Sequence, residues 1–136
     1  MQQATNPAQT NHIDENVRRS LQKSGLIDIT TIGRTTGERR RIEIAYHVFG
    51  GRIYISGQPN PARRRSWLAN LEAQPNFTFH LKRGLQADLP ATARIIDDPV
   101  ERRAVLTEVA RAWNRTDVDT MVACSPLIEV TIPGLG

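Results

Sequence analysis

The stretch Ile29-Thr30-Thr31-Ile32-Gly33-Arg34-Thr35-Thr36-Gly37-Glu38-Arg39-Arg40-Arg41 organises the reading of this chain. An apolar strand runs into a tight turn, and a second strand leaves it. Beyond the turn the alternation is clean. Ile42, Ile44, Tyr46 and Val48 point one way, and Arg41, Glu43, Ala45 and His47 the other, the period of a strand with one buried face. Gly33 and Gly37 suit the turn, but a hairpin has no need of Arg34, Arg39, Arg40 and Arg41 around it. Threonine hydroxyls, free backbone N–H groups and guanidiniums converging on one loop make a receptor for a phosphate or carboxylate. A solvated, charged hairpin tip is the competing reading of this segment alone.

Outward from the hairpin, further strands are expected. Residues 26–32 lead into the turn and 39–49 leave it, Gly50-Gly51 closes a two-residue hairpin, and 52–56 form its partner. Residues 76–82 alternate with Phe77, Phe79 and Leu81 on one face. Arg83-Gly84 turns the chain into a strand over 85–96, and 125–132 reads as the last strand, with Ile128, Val130 and Ile132 inward. Helices interrupt the set. Asn60-Pro61 reads as a cap with proline at the first helical position, opening a helix to residue 74. Asp98-Pro99-Val100-Glu101 joins a proline-led start to a capping box and opens a helix to residue 113. A shorter helix spans 116–124. Six antiparallel strands with helices at the joints predict a mainly β fold, a small closed or split barrel carrying three to four helices.

The chain has 136 residues, one domain's length, with 39% apolar residues. Residues 1–11 are polar, lack the apolar region of a secretory signal, and read as a disordered lead to a single domain over 12–136. The one cysteine, Cys124, sits among Met121, Val122 and Ala123 and reads as a core thiol, in keeping with a reducing cytoplasm. A first helix over 13–23 has a narrow apolar stripe of Ile13, Val17 and Leu21. The stripe favours docking on the core, while Arg18, Arg19 and Lys23 leave open a peripheral membrane contact.

Net charge is +4, from 18 Lys+Arg against 14 Asp+Glu, and the only lysines are Lys23 and Lys82. The arginine excess invites a nucleic-acid reading. Arg39, Arg40 and Arg41 split between two faces of a strand, however, and 5% aromatic residues is thin for base stacking, so no nucleic-acid partner is expected. His12, His47 and His80 are scattered, with no zinc-ligand spacing, and the two on strands read as solvent-facing. No nucleophile elbow, Walker loop or dinucleotide glycine pattern occurs. Any redox or transfer chemistry therefore falls to a bound cofactor. A second anion signal lies at the helix opened by Asn60, where Arg63, Arg64 and Arg65 oppose the macrodipole. An anion drawn to that helix end would account for them.

Thr31-Ile32-Gly33-Arg34-Thr35-Thr36-Gly37 followed by Arg40 resembles the Thr-Thr-Gly-Arg-Lys-Thr-Gly-x-x-Arg hairpin of the deazaflavin-dependent nitroreductases, split-barrel reductases that use coenzyme F420. Ser66-Trp67-Leu68-Ala69-Asn70-Leu71 with Gln74-Pro75 is similar to their tryptophan-bearing helix. The resemblance covers about residues 26–96 and implies a split β-barrel of the FMN-binding type. It implies that Arg34, Thr35, Thr36 and Arg40 meet the cofactor's phosphate or polyglutamyl tail, and that Arg41, Ile42 and Glu43 pass the ring edge with their backbone. Ser56 and Gly57 would approach the ring, and Ser66, Trp67 and Asn70 would complete the wall. The chain departs from the family pattern at Thr35, where lysine is common, and at Ser56-Gly57-Gln58-Pro59 in place of Ser-Lys-Gly-Gly. Arg64 and Arg65, with Arg63, would stand in for the missing lysines.

The implied activity is hydride transfer from reduced F420 to a small electron-poor acceptor such as a quinone, nitro compound or enone, with Tyr46, Ser56 or water giving a proton. FMN is the alternative cofactor, and a non-catalytic binder of flavin, haem or a fatty-acyl ligand the alternative function. The aromatic substrate-binding residues of the family are not recognisable; Trp113 and Met121 stand nearest and read as core. Monomer and homodimer both fit a barrel of this size.

Overall fold

Strands β1 (Gly25–Ile32) and β2 (Arg39–Phe49) pair antiparallel in a register that sets Ile29 opposite Ile42 and Thr31 opposite Arg40. Each pair shares a face, so the sequence alternation becomes an inside and an outside. The computed structural model describes residues 14–60 and 65–135; the lead expected over 1–11 lies outside them. After β2 come β3 (Arg52–Ser56), β4 (Asn76–Leu81), β5 (Ala87–Ile95) and β6 (Leu127–Thr131). The strands close into an antiparallel barrel in the order β1-β2-β3-β6-β5-β4. The expected small barrel is the one formed, with strand ends within about two residues of the sequence reading. Four helices accompany it among the described residues: α1 (Glu15–Leu21), α2 (Ser66–Ala73), α3 (Pro99–Trp113) and α4 (Val118–Cys124).

The barrel interior is built from the inward half of every strand. Ile27, Ile29, Tyr46, Ile53, Ile55, Phe77, Phe79, Leu89, Ile128 and Val130 meet there, with Phe79 fully buried and edge-on to Tyr46 at 5.2 Å between ring centres. Leu21 of α1 enters the same cluster, with Val17 beside it. Helix α1 therefore docks on the core. Arg18 ties it down by donating to the Gly134 carbonyl at 3.0 Å and to that of Leu135. Among the described residues no helix is long and apolar enough to cross a membrane.

A second apolar cluster lies outside the barrel. Helix α3 buries Val105, Leu106, Val109 and Ala110 and, with Met121 of α4, covers Tyr54 and Leu127. Its start follows the sequence: the Asp98 carboxylate accepts from the Glu101 N–H at 2.9 Å with Pro99 behind it. It ends at Asn114, left-handed at φ 58°. Trp113, half-buried, and Met121, fully buried, both belong to this cluster. Cys124 was expected in the core; it is only half-buried, because Met121 takes the inward position of α4.

Both strand histidines depart from expectation. They occupy outward positions, as the alternation requires, yet His47 is 5% exposed and His80 7%. His47 lies against Trp113 and Phe49, its centroid 5.2 and 5.7 Å from theirs, because the α3 helix covers that part of the sheet. His80 joins three strands, with Nε2 2.7 Å from Thr30 Oγ1 and Nδ1 2.7 Å from Asp88 Oδ1. A period of two tells which face a residue takes but not what covers that face.

Two expected outcomes follow from this layer. Burial pushes the His47 imidazole below its ordinary value, and its Nε2 has no hydrogen-bond partner. The unfolded chain therefore binds the proton more readily, and stability falls as pH drops through the ordinary histidine value. Urea melts at about pH 8 and about pH 5 should show His47→Leu at least as stable as wild type at the higher pH and less pH-dependent below it. Separately, Arg102 is half-buried and donates to the carbonyls of Ile96 (3.0 Å), Val122 (2.8 Å) and Ser125 (2.7 Å). Arg102→Ala orphans these acceptors, at the α4 C-terminus and just after β5, and should cost on the order of 3 kcal/mol in denaturant melts.

Candidate functional site

The β1–β2 bend is built by its own backbone. Gly33 N–H donates to Glu38 O at 2.7 Å, Gly37 N–H donates to Gly33 O at 2.8 Å, and Gly37 sits at φ +76°. A Cβ on Gly33 would stand 3.1 Å from Glu38 O and 3.2 Å from Thr36 Oγ1, so a side chain would press the turn open. The Glu38 N–H in turn donates to Thr36 Oγ1 at 3.2 Å.

Helix α2 faces this bend, and Asn70 joins the two. Its Oδ1 accepts from the Arg34 backbone N–H at 3.1 Å and from Arg34 Nη1 at 2.9 Å, while its Nδ2 donates to Thr31 Oγ1 at 3.2 Å. Asn70 is 3% exposed, and its bond to Thr31 is shielded from water while the two to Arg34 lie at the cavity's edge. One carboxamide thus sets the distance between two segments that are 36 residues apart and aims a guanidinium. Arg65 is aimed as well, its Nη2 donating to Gln58 O at 2.6 Å.

Between bend and helix lies a cavity of about 530 Å³. Arg34, Thr35, Thr36 and Arg40 line it from the hairpin, Ile42 from β2, and Arg65, Ser66, Trp67 and Asn70 from the α2 side. Thr31 and Gly33 line it too and were not singled out from the sequence as site residues. The signal for Thr31 was present: it continues the inward series Ile27, Ile29, and a hydroxyl at an inward strand position needs a polar neighbour.

Other expected site residues do not reach the cavity with their side chains. Arg41 and Glu43 point to the opposite face, where Arg41 Nε donates to Asp28 Oδ2 at 2.9 Å and Lys82 Nζ bridges Glu43 at 2.5 Å and Asp28 at 2.7 Å. These bonds hold the Asp28 carboxyl below its usual range. Ser56 is 1% exposed and donates to Pro126 O at 2.7 Å. Gly57 abuts the site from behind, since a Cβ there would meet Pro126 at 3.2 Å and Arg65 Nη2 at 3.5 Å. Arg63 and Arg64 lie outside the described residues.

The helix expected from Asn60 opens instead at Ser66, with Arg65 extended as its N-cap (φ −71°, ψ 132°). Its start is decided by where Trp67, Asn70 and Leu71 can be buried rather than by the Asn-Pro pair. The N-cap side chain, Arg65, makes no capping bond, and no acidic residue stands in the first turn. A helix N-terminus beside the Arg65 guanidinium suits an anion.

The sequence model of the F420H(2)-dependent quinone reductases matches residues 3–129. The chain belongs to that family. It is an oxidoreductase working with coenzyme F420 and a small-molecule acceptor. Among solved structures, a conserved hypothetical protein of Mycobacterium tuberculosis shares 20% identity at TM-score 0.66, over 88% of this chain and 81% of that one. An F420-H2 dependent reductase shares 19% at TM-score 0.60, over 79% and 94%, and an F420 reductase 14% at 0.66, over 88% and 95%. These likenesses show a common split-barrel fold. No curated protein matches the chain.

If Asn70 is what holds bend and helix together, Asn70→Ala should leave Thr31 Oγ1 and the Arg34 N–H without partners. An expected cost of about 2 kcal/mol would appear in denaturant melts. Asn70→Asp, which keeps the acceptor for Arg34, should cost less above the carboxyl's pKa.

Proposed function

We propose that the hairpin–α2 cavity is the F420 site and that the acceptor reduced there is a quinone. The observation that carries this is the Asn70 bridge, which turns a charged bend and a tryptophan helix into one receptor wall. The donor set fits the cofactor as the family uses it. Arg34, Arg40 and Arg65 bring guanidiniums, Thr35 and Thr36 hydroxyls, and α2 the positive end of its dipole, all suited to a phosphate and a polyglutamyl tail. Ile42 and the buried Trp67 supply an apolar wall for a flat ring and exclude water from it.

Bound F420 in its reduced form supplies the hydride. The protein's part is to hold donor and acceptor in line and to stabilise the negative charge that grows on the acceptor oxygen. Neither Tyr46 nor Ser56 fits as proton donor. The Tyr46 hydroxyl donates to Leu21 O at 3.0 Å, and burial pushes its pKa up to about 12. It also pairs with Gly25, four residues along β2 from Ile42, roughly 13 Å away. The Ser56 hydroxyl is engaged by Pro126. The quinol proton comes from solvent, and Ser66, exposed at the cavity, can relay it.

Arg34→Ala and Arg65→Ala should each raise the F420 dissociation constant by about tenfold or more, the effect shrinking at high salt. Turnover of a soluble naphthoquinone at saturating F420 should stay within about threefold of wild type, because these residues hold the tail rather than the reacting ring. Fluorescence titration and stopped-flow oxidation of reduced F420 measure the two. Unchanged affinity in both variants would overturn the site assignment. A nitroaromatic reduced faster than any quinone would overturn the acceptor.

A further inference from the structure

A second set of cations converges at the other end of β1. Arg19 and Lys23 come from the last turn of α1 and the residues after it, and Arg83 from the β4–β5 turn. Together with Asn16 and Ser20 they line a hollow of about 300 Å³. A smaller hollow of about 80 Å³ shares Ser20, Lys23 and Arg83 with it and adds Ser24 and Leu26. The two form one groove, roughly 20 Å along β1 from the F420 cavity.

Among the described residues no acidic side chain is paired with Arg19, Lys23 or Arg83, and Asp14, next to Asn16, caps α1 by accepting the Asn16 N–H at 2.7 Å. No acidic residue lines either hollow. The neighbouring acids are taken: Glu15 by Arg18, Asp28 by Lys82 and Arg41, Glu43 by Lys82, and Asp88 by His80. Residues 1–13 contain no Asp or Glu at all. The macrodipole at the α1 C-terminus accounts for Arg19 and Lys23. It does not account for Arg83, which another element brings up to them against like-charge repulsion.

Neutral donors complete the groove. Ser24 is held in left-handed backbone at φ 58°, with its Oγ accepting the Val48 N–H at 3.0 Å, which leaves the hydroxyl proton free to be donated. Guanidinium, ammonium, amide and hydroxyl donors around a concave surface form a donor set for a tetrahedral oxyanion.

We propose that this groove is a phosphate-binding site, separate from the F420 cavity, whose ligand is a phosphate group carried by a free small anion or by a phospholipid headgroup. The test uses protein saturated with F420, so that the hairpin cavity is filled. Its probes are inorganic pyrophosphate by calorimetry and flotation with phosphatidylglycerol–phosphatidylcholine vesicles against phosphatidylcholine alone. The variant Arg19→Gln/Lys23→Gln/Arg83→Gln should bind about tenfold more weakly to whichever probe wild type prefers. A charge-matched variant on other surfaces, Arg52→Gln/Arg103→Gln/Arg111→Gln, should stay within about twofold, and F420 affinity should be unchanged in both. Binding of pyrophosphate alone identifies a free phosphate as the source, and flotation with anionic vesicles identifies the lipid. Wild type that binds neither probe overturns the proposal, and so does an equal loss in both variants.

Discussion

One buried carboxamide holds the hairpin end of this protein together. Asn70 reaches from α2 to the β1–β2 bend, accepts twice from Arg34 and donates to Thr31. Each bond taken alone is worth only about 1 kcal/mol. Their joint effect is geometric, because the same side chain fixes the width of the cavity and the direction of a guanidinium. With the bend released from the helix, Arg34, Thr35 and Thr36 would no longer be held across from Trp67 and the cavity would lose a wall.

The barrel makes that bridge affordable by separating tasks between its two faces. Inward residues pack one continuous apolar cluster, so the polar inward position Thr31 has to be met by something, and Asn70 meets it. Outward residues are handled differently around the circumference. Helices α3 and α4 cover β3 and β6, burying Tyr54 and Leu127. On the other side, Arg41, Asp28, Lys82 and Glu43 form an ion-paired lattice that needs no cover. Pairs of this exposure add little stability; it is the alternation along β2 that turns Arg41 and Glu43 away from the cavity.

Function in this family places modest demands on side-chain chemistry and strict demands on position. A hydride donor that arrives as a cofactor leaves the protein to hold an anionic tail, shield a ring and admit an acceptor. The residues lining the cavity are of those kinds: guanidiniums and hydroxyls on the hairpin, an indole and an aliphatic wall beside them. No side chain there is suited to be a nucleophile. The two hydroxyls that could have served as acids, Tyr46 and Ser56, are spent on backbone carbonyls.

By itself the sequence determined the strands, the glycine bend and the cluster of guanidiniums around it, because these depend on neighbours within a few residues: alternation in 39–49, a capping box at Asp98–Glu101, arginines around Gly33 and Gly37. It also placed Arg40 and Ile42 on one face and Arg41 and Glu43 on the other. Only the tertiary structure decided which outward residues stay wet, for His47 and His80 are buried by elements far along the chain. The start of α2 was settled the same way, at Ser66 instead of Asn60, by the burial of Trp67 and Leu71 against the barrel. Asn70 showed nothing in the sequence of the three bonds it makes. Local periodicity records the direction in which a side chain points, and what it meets there is a property of the closed barrel.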